Sequence, residues 1–362
     1  MRRWHFALLS LVLVLAGKPV FATTYYVTPP LANACTSAKG GFEVFPSIQY
    51  AVTHVPEGST INICPGTYYE QVTISQSLTL RGVSNGSSSK AVIVVPPGGL
   101  AVNATSDYGA GIAAQVLIQN AAGIVSLSNL TVDGSGNNVT DAEMVGVFYQ
   151  NSSGTVNHLI IQNQIGAAAC GYGVWLEGGS NKPSVTLENS YLQGLGCGGI
   201  EVETNSSTSE LTATVKANVL TMFGDSLDNV IELDSGATAT VSDNLILGGG
   251  TGIYARTGGA ISNNTIFGAS TGIFVGADEL SVTSNAIYNS TQLGVSLGSA
   301  VALVTDNKII QSVGGIDLFC NGGNNVHSNT IMGAQVGLAG KPNAANPANS
   351  FYSVGSISLG GC

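Results

Sequence analysis

Two stretches decide the fold: VSDNLILGGGTGIYA at 241–255 and ISNNTIFGASTGIFV at 261–275. Each carries a β-branched residue, two small or polar residues, an asparagine, one free position and an aliphatic residue. The same pattern recurs in VTSNAIYNSTQLGVSL from Val282, VTDNKIIQSVGGIDL from Val304 and VHSNTIMGAQVGL from Val326. Asn244, Asn264, Asn285, Asn307 and Asn329 are separated by 20, 21, 22 and 22 residues. Upstream, Asn129, Asn157, Asn189 and Asn218 extend the series with steps of 28, 32, 29 and 26, so the early repeats carry insertions. A glycine before an aliphatic residue follows each asparagine: Gly146, Gly173, Gly199, Gly252, Gly272, Gly294, Gly315 and Gly337, with Val230 filling one gap.

Around these marks the sequence alternates with period two, the signature of strands. The inward positions read Val174 and Leu176, Ile200 and Val202, Ile231 and Leu233, Ile253 and Ala255, Ile273 and Val275. Short strands every twenty-odd residues cannot bury a face alone, but stacked on their neighbours they can, as in a solenoid. Asparagine offers both a donor and an acceptor and tolerates left-handed turns. Nine asparagines in register therefore predict an amide ladder along one corner of the coil.

Composition agrees. Of 362 residues only 9% are charged, 44% are hydrophobic and 48 are glycine. The glycines keep no three-residue period, which excludes collagen. Abundant Gly, Asn, Ser, Thr and Val disfavour a helical bundle. Residues 1–22 read as a secretory signal: Arg2 and Arg3, an apolar Phe6–Ala16, then small residues ending at Ala22. Its removal with Lys18 leaves 8 basic against 21 acidic residues, a surface unsuited to nucleic acid. No remaining stretch is long and apolar enough to span a membrane, so a secreted, periplasmic or extracellular location is expected. Six cysteines in an exported chain read as disulfides.

Residues 45–83, FPSIQYAVTHVPEGSTINICPGTYYEQVTISQSLTLRGV, resemble the opening coil of the pectin-lyase-like superfamily. The resemblance implies an all-β fold, a right-handed parallel β-helix wound as a single-stranded solenoid, with an N-terminal capping helix over Ser47–Val55. The expected organisation is a signal at 1–22, a cap and first coil at 23–83, coils at 84–340, and a tail at 341–362. On such a coil Cys170 and Cys197 fall on consecutive rungs and pair, while Cys35 with Cys64 fastens the cap. Cys320 with Cys362 ties the tail back. The sequence motifs of pectin methylesterases and polygalacturonases are absent, so the resemblance carries fold, location and a polysaccharide partner, and no catalytic residue.

Outward positions of the glycine-aliphatic strands stack into two columns. One reads Phe148, Trp175, Glu201, Glu232, Tyr254, Phe274, Ser296, Asp317; the other Gln150, Glu177, Glu203, Asp234, Arg256. Five carboxylates thus meet on three rungs, beside aromatic residues suited to sugar rings. Insertions at 133–143, 178–184, 204–210 and 222–228 are expected to wall a groove there. Three uses are open. A lyase would hold Ca²⁺ on Glu177, Glu203 and Asp234, with Arg256 as base or substrate clamp. A hydrolase would pair Glu201 with Glu232 for retention, or Glu177 with Asp234 for inversion. The third use is binding alone, with Trp175, Tyr254, Phe148 and Phe274 as the sugar platform. The expectation is an exported polysaccharide-engaging protein, a lyase or glycoside hydrolase on acidic or cell-wall glycans. The alternative is a non-catalytic surface or matrix protein acting as adhesin, spacer or carbohydrate-binding module.

Overall fold

The computed structural model describes residues 23–29, 35, 43–84, 90–166, 170–204, 209–222, 228–234, 236–319, 324–340 and 348–359. The chain winds as a right-handed parallel β-helix. Each full coil gives one short strand to each of three long sheets, of 13, 12 and 13 strands among the described residues. Neighbouring coils pair in parallel, so residues twenty to thirty apart in sequence become rungs of one ladder. Among the described strands the exception is a two-residue one, Ala104–Thr105, which pairs antiparallel with Gly111–Gln119 and leaves the coil as an arm.

The inward set read from the repeat, from Val174 and Leu176 to Ile273 and Val275, is buried in one continuous core. Full burial of such a side chain contributes about 1.5–3 kcal/mol, which is why the alternation enforces the register. The glycine column is steric. A Cβ on Gly272 would lie 2.5 Å from the Gly294 carbonyl oxygen and 2.6 Å from Ile287 Cγ2, with the same arrangement at Gly252 and Gly294.

A helix, Ile48–His54, covers the N-terminal end and buries Ile48, Ala51 and Val52. Its free amides are satisfied: Ser47 accepts from the Tyr50 N–H, and the Glu70 carboxylate accepts from Ile48 and Gln49, both at 2.8 Å. Cys35 pairs with Cys64 and Cys170 with Cys197, with Cα separations of 5.6 and 5.2 Å. Cys320, Cys362 and the expected signal at 1–22 lie outside the described residues. Among the described residues no helix is long and apolar enough to cross a membrane.

The asparagine ladder is real but shorter at its start than the spacing suggested. From Asn218 through Asn244, Asn264, Asn285, Asn307 and Asn329, each side-chain amide donates to the next Oδ1 at 2.9–3.0 Å. Asn349, outside the predicted series, receives the last bond. Asn129, Asn157 and Asn189 do not join. The turn holds a left-handed residue immediately before the ladder position: Asp243 before Asn244, Ser284 before Asn285. Asn129 and Asn189 occupy that left-handed position, with φ 56° and 52°, and Asn157 sits one residue earlier still. Ser190 takes the upstream ladder site, its amide donating to Asn218 Oδ1 and its hydroxyl accepting from Leu159 N–H. Two asparagine preferences, for the left-handed turn and for the ladder, look alike in sequence one residue apart.

Candidate functional site

The third sheet carries the outward columns in the order read from sequence. Phe148 pairs with Trp175, Trp175 with Glu201, Glu201 with Glu232, Glu232 with Tyr254, and Tyr254 with Phe274. Beside them Gln150 pairs with Glu177 and Glu177 with Glu203. Strands about 4.8 Å apart thus gather acids from three successive coils.

What covers these columns was not legible in the repeat. The arm at 102–110 folds back over the acids and divides the surface in two. On one side lies a pocket of about 260 Å³ lined by Ser106, Tyr108, Glu143, Tyr172, Trp175, Glu201, Glu203, Glu232 and Asp234. On the other lies a polar cleft of about 690 Å³, where Gln119, Gln150, Asn151 and Glu177 face Asn103 and Asp107. Glu143, Tyr108 and Tyr172 are therefore members that the column reading missed. Their signal was an aromatic in the 102–111 stretch and residues at the start of two coil strands, Glu143 in Glu143–Gln150 and Tyr172 in Gly171–Glu177, none of it periodic. Of the four insertions, 178–184 walls the polar cleft through Gly178 to Ser180. The 133–143 segment packs Val139 and Ala142 under the arm's base with Leu100 and Met144. The other two lie largely outside the described residues.

The aromatics divide likewise. Phe148 is fully buried and Trp175 only 5% exposed, packed with Ala104 and Leu117 under the arm. Phe148 presents no face to solvent and Trp175 reaches only the small pocket, unlike the open platform the column reading expected, because the arm covers that end of the column. Tyr254 and Phe274 remain half-buried and stack in parallel, centroids 4.7 Å apart, with the Arg256 guanidinium 5.4 Å from the Tyr254 ring centroid.

Each acid has its own surroundings. Trp175 Nε1 donates to Glu203 Oε1 at 3.0 Å. Glu177 accepts from Gln150 at 2.7 Å and from the Asp107 N–H at 2.9 Å. Arg256 Nε lies 3.0 Å from Asp234 Oδ1 and its Nη2 3.8 Å from Glu232 Oε1. Glu232 also accepts from Asn229, and Tyr108 donates to Asp234. Glu201 is 8% exposed and forms no hydrogen bond with a described residue. Burial first, then the charges of Glu232, Glu203, Asp234 and Glu143, hold its carboxyl well above the usual carboxylate range. Burial, reinforced by Glu177, pushes Glu203 to about 8, and burial pushes Glu177 to about 7. Burial also raises Glu143, whose Oε2 is enclosed without a partner.

This arrangement does not fit the Ca²⁺ expectation. Ca²⁺ takes six to eight oxygen ligands. Here Glu177, Glu203 and Asp234 are turned toward amide, indole, phenol and guanidinium donors, and Glu177 lines the polar cleft while Glu203 and Asp234 line the smaller pocket on the other side of the arm.

Residues 229–355 match the family model of a right-handed β-helix region. No curated protein matches. Among solved structures, a family 136 glycoside hydrolase, the lacto-N-biosidase of Eubacterium ramulus, is similar over 92% of this chain and 68% of its own. Its TM-score is 0.60 at 12% identity. The family 6 polysaccharide lyase AlyGC, an alginate lyase, is similar over 93% of this chain and 53% of its own, with TM-score 0.51 at 13% identity. Identities this low establish a shared fold and nothing about chemistry.

Proposed function

We propose that the protein is an exported polysaccharide-binding β-helix that cleaves a glycosidic bond with Glu201 and Glu232. The observation that carries this reading is the contrast between two paired carboxyls on adjacent rungs. Glu201 is 8% exposed, forms no hydrogen bond with a described residue and is raised toward its protonated form. Glu232 is supported by Asn229 and Arg256. A protonated acid beside a cation-supported carboxylate is the division of labour that glycoside hydrolysis requires.

In this mechanism Glu201 gives its proton to the leaving glycosidic oxygen while Glu232 attacks the anomeric carbon. Water then hydrolyses the glycosyl-enzyme, and Glu201 regains a proton from it. Adjacent rungs, about 4.8 Å apart, suit the shorter carboxyl separation of retaining enzymes. Tyr254 and Phe274, next along the column, supply an apolar platform for a neighbouring sugar. Five acids against one arginine disfavour a polyuronate. Two disulfides and the apolar N-terminal stretch support export into an oxidising compartment.

The test is release of reducing ends from a panel of neutral, acidic and aminated polysaccharides by the wild type, Glu201→Gln and Glu232→Gln. Losses of about 10²-fold or more in both variants are expected, the usual size of a general acid or nucleophile contribution. Turnover that persists in both overturns the assignment. A second reading, binding without turnover, is favoured by the arm that roofs the acids. It predicts wild-type glycan binding with no product.

A further inference from the structure

The pocket's charge singles out a kind of sugar. Glu143, Glu201, Glu203, Glu232 and Asp234 surround about 260 Å³, and Arg256 reaches only the rim, paired with Asp234 and Glu232. Inside, Glu201 is more than nine-tenths buried, points into the cavity and has no hydrogen bond to a described residue. Glu143 Oε2 is enclosed and has no partner among the described residues. Buried polar groups without partners cost free energy that a bound ligand recovers. Glu143 Oε2 is an acceptor beside four further carboxyls, so the recovering group is a donor, and a cationic donor recovers most.

We infer that the pocket recognises a protonated primary amine on a sugar ring, so that the substrate class is a glycan with free 2-amino groups. The inference rests on the polysaccharide reading above and deepens it. An ammonium carries three donors and one positive charge, matching several carboxyl oxygens at once. Tyr108, Tyr172 and Trp175 wall the same space, and aromatic rings attract cations within about 6 Å of their centroids. A uronate would be repelled here, and a neutral hydroxyl would leave the acids' mutual repulsion in place. An amine on a lysine-rich peptide shares the charge but has no use for the stacked Tyr254–Phe274 platform in register with Glu232. That platform favours the sugar.

Calorimetric titration of the full chain separates the outcomes. The probes are chitosan oligomers with free amines, fully N-acetylated chito-oligomers, cello-oligomers, polygalacturonate and poly-lysine. The aminated oligomer is expected to bind at least about tenfold tighter than its N-acetylated form, a difference near 1.4 kcal/mol. Glu203→Gln, isosteric and neutral, abolishes that preference, while Glu210→Gln, an exposed partner of Lys182 outside the pocket lining, leaves it unchanged. Equal binding of aminated and N-acetylated oligomers overturns amine recognition yet leaves the polysaccharide reading standing. Poly-lysine binding that outcompetes the aminated sugar, or a preference that survives Glu203→Gln, also overturns it. Binding to none of the glycans sinks both.

Discussion

The Tyr108 hydroxyl donates to Asp234 Oδ2 at 3.3 Å, joining residues 126 apart in sequence. This bond fastens the arm across the acids. A second fastening lies at the arm's other edge, where the Asp107 N–H donates to Glu177 Oε2. The arm therefore stands on two carboxylates of the columns it covers. Tyr108→Phe removes the first bond at an exposed site, so the fold loses only about 0.5–1.5 kcal/mol. The arm loosens, and Trp175 beneath it becomes accessible. Acrylamide quenching of tryptophan fluorescence should rise in Tyr108→Phe while the urea midpoint barely moves; unchanged quenching would show that the arm is held by other contacts.

The raised carboxyls make stability depend on pH in a definite direction. An unfolded glutamate titrates near 4.5, whereas Glu177 reaches about 7 and Glu203 about 8 in the fold, with Glu201 also raised. Between those values the folded chain holds more protons than the unfolded one, so raising the pH destabilises it. The contribution of these groups is full below about pH 4.5 and falls away toward pH 8. Chemical denaturation across this range should show the wild type losing stability. The double variant Glu177→Gln with Glu203→Gln should show a flatter profile. A steeper loss in that variant would contradict the assignment.

The repeat made the coil legible because each constraint recurs: alternation fixes which side chains go in, and stacking then fixes who neighbours whom. Trp175, Glu201, Glu232 and Tyr254 could be placed side by side from numbering alone, and they pair in that order. The arm was illegible for the converse reason. It occurs once, leaves the coil through an antiparallel pair, and its Tyr108 contacts acids more than a hundred residues away. Burial of Phe148 and Trp175 followed from that single excursion, so the columns were read correctly and their exposure was not.

The ladder provides a paired test of position. Asn285 is 1% exposed; its amide N–H donates to Asn307 Oδ1, its Nδ2 to Asn307 Oδ1 and the Ile261 carbonyl, and its Oδ1 accepts from Asn264. Asn285→Ala leaves the Ile261 carbonyl and the Asn264 donors without this partner in a dry interior. The expected cost is about 2–4 kcal/mol, more than one buried group's desolvation. Asn189, left-handed and bonded only loosely to Asn157 at 3.3 Å, should tolerate Asn189→Gly within about 0.5 kcal/mol. Urea midpoints of the two variants measure the contrast. Equal losses would mean that the turn, and not the ladder, sets the requirement for asparagine.

Gly272 offers the sharpest test of how tightly the coils stack. Its added Cβ would stand 2.5 Å from the Gly294 carbonyl oxygen and 2.6 Å from Ile287 Cγ2, both held by the next coil. Backbone cannot yield there without breaking the parallel pairing of Thr271–Val275 with Leu293–Ser296. Overpacking of this kind costs about 1–3 kcal/mol, occasionally more. Gly258 lies in the same coil series with open space where its Cβ would be. Gly272→Ala should therefore lower the thermal midpoint clearly, while Gly258→Ala leaves it nearly unchanged. The site lies two coils beyond Glu232 in the same sheet, so a loss of stability that also moved glycan affinity would mean that the strain travels along the rungs to the acids.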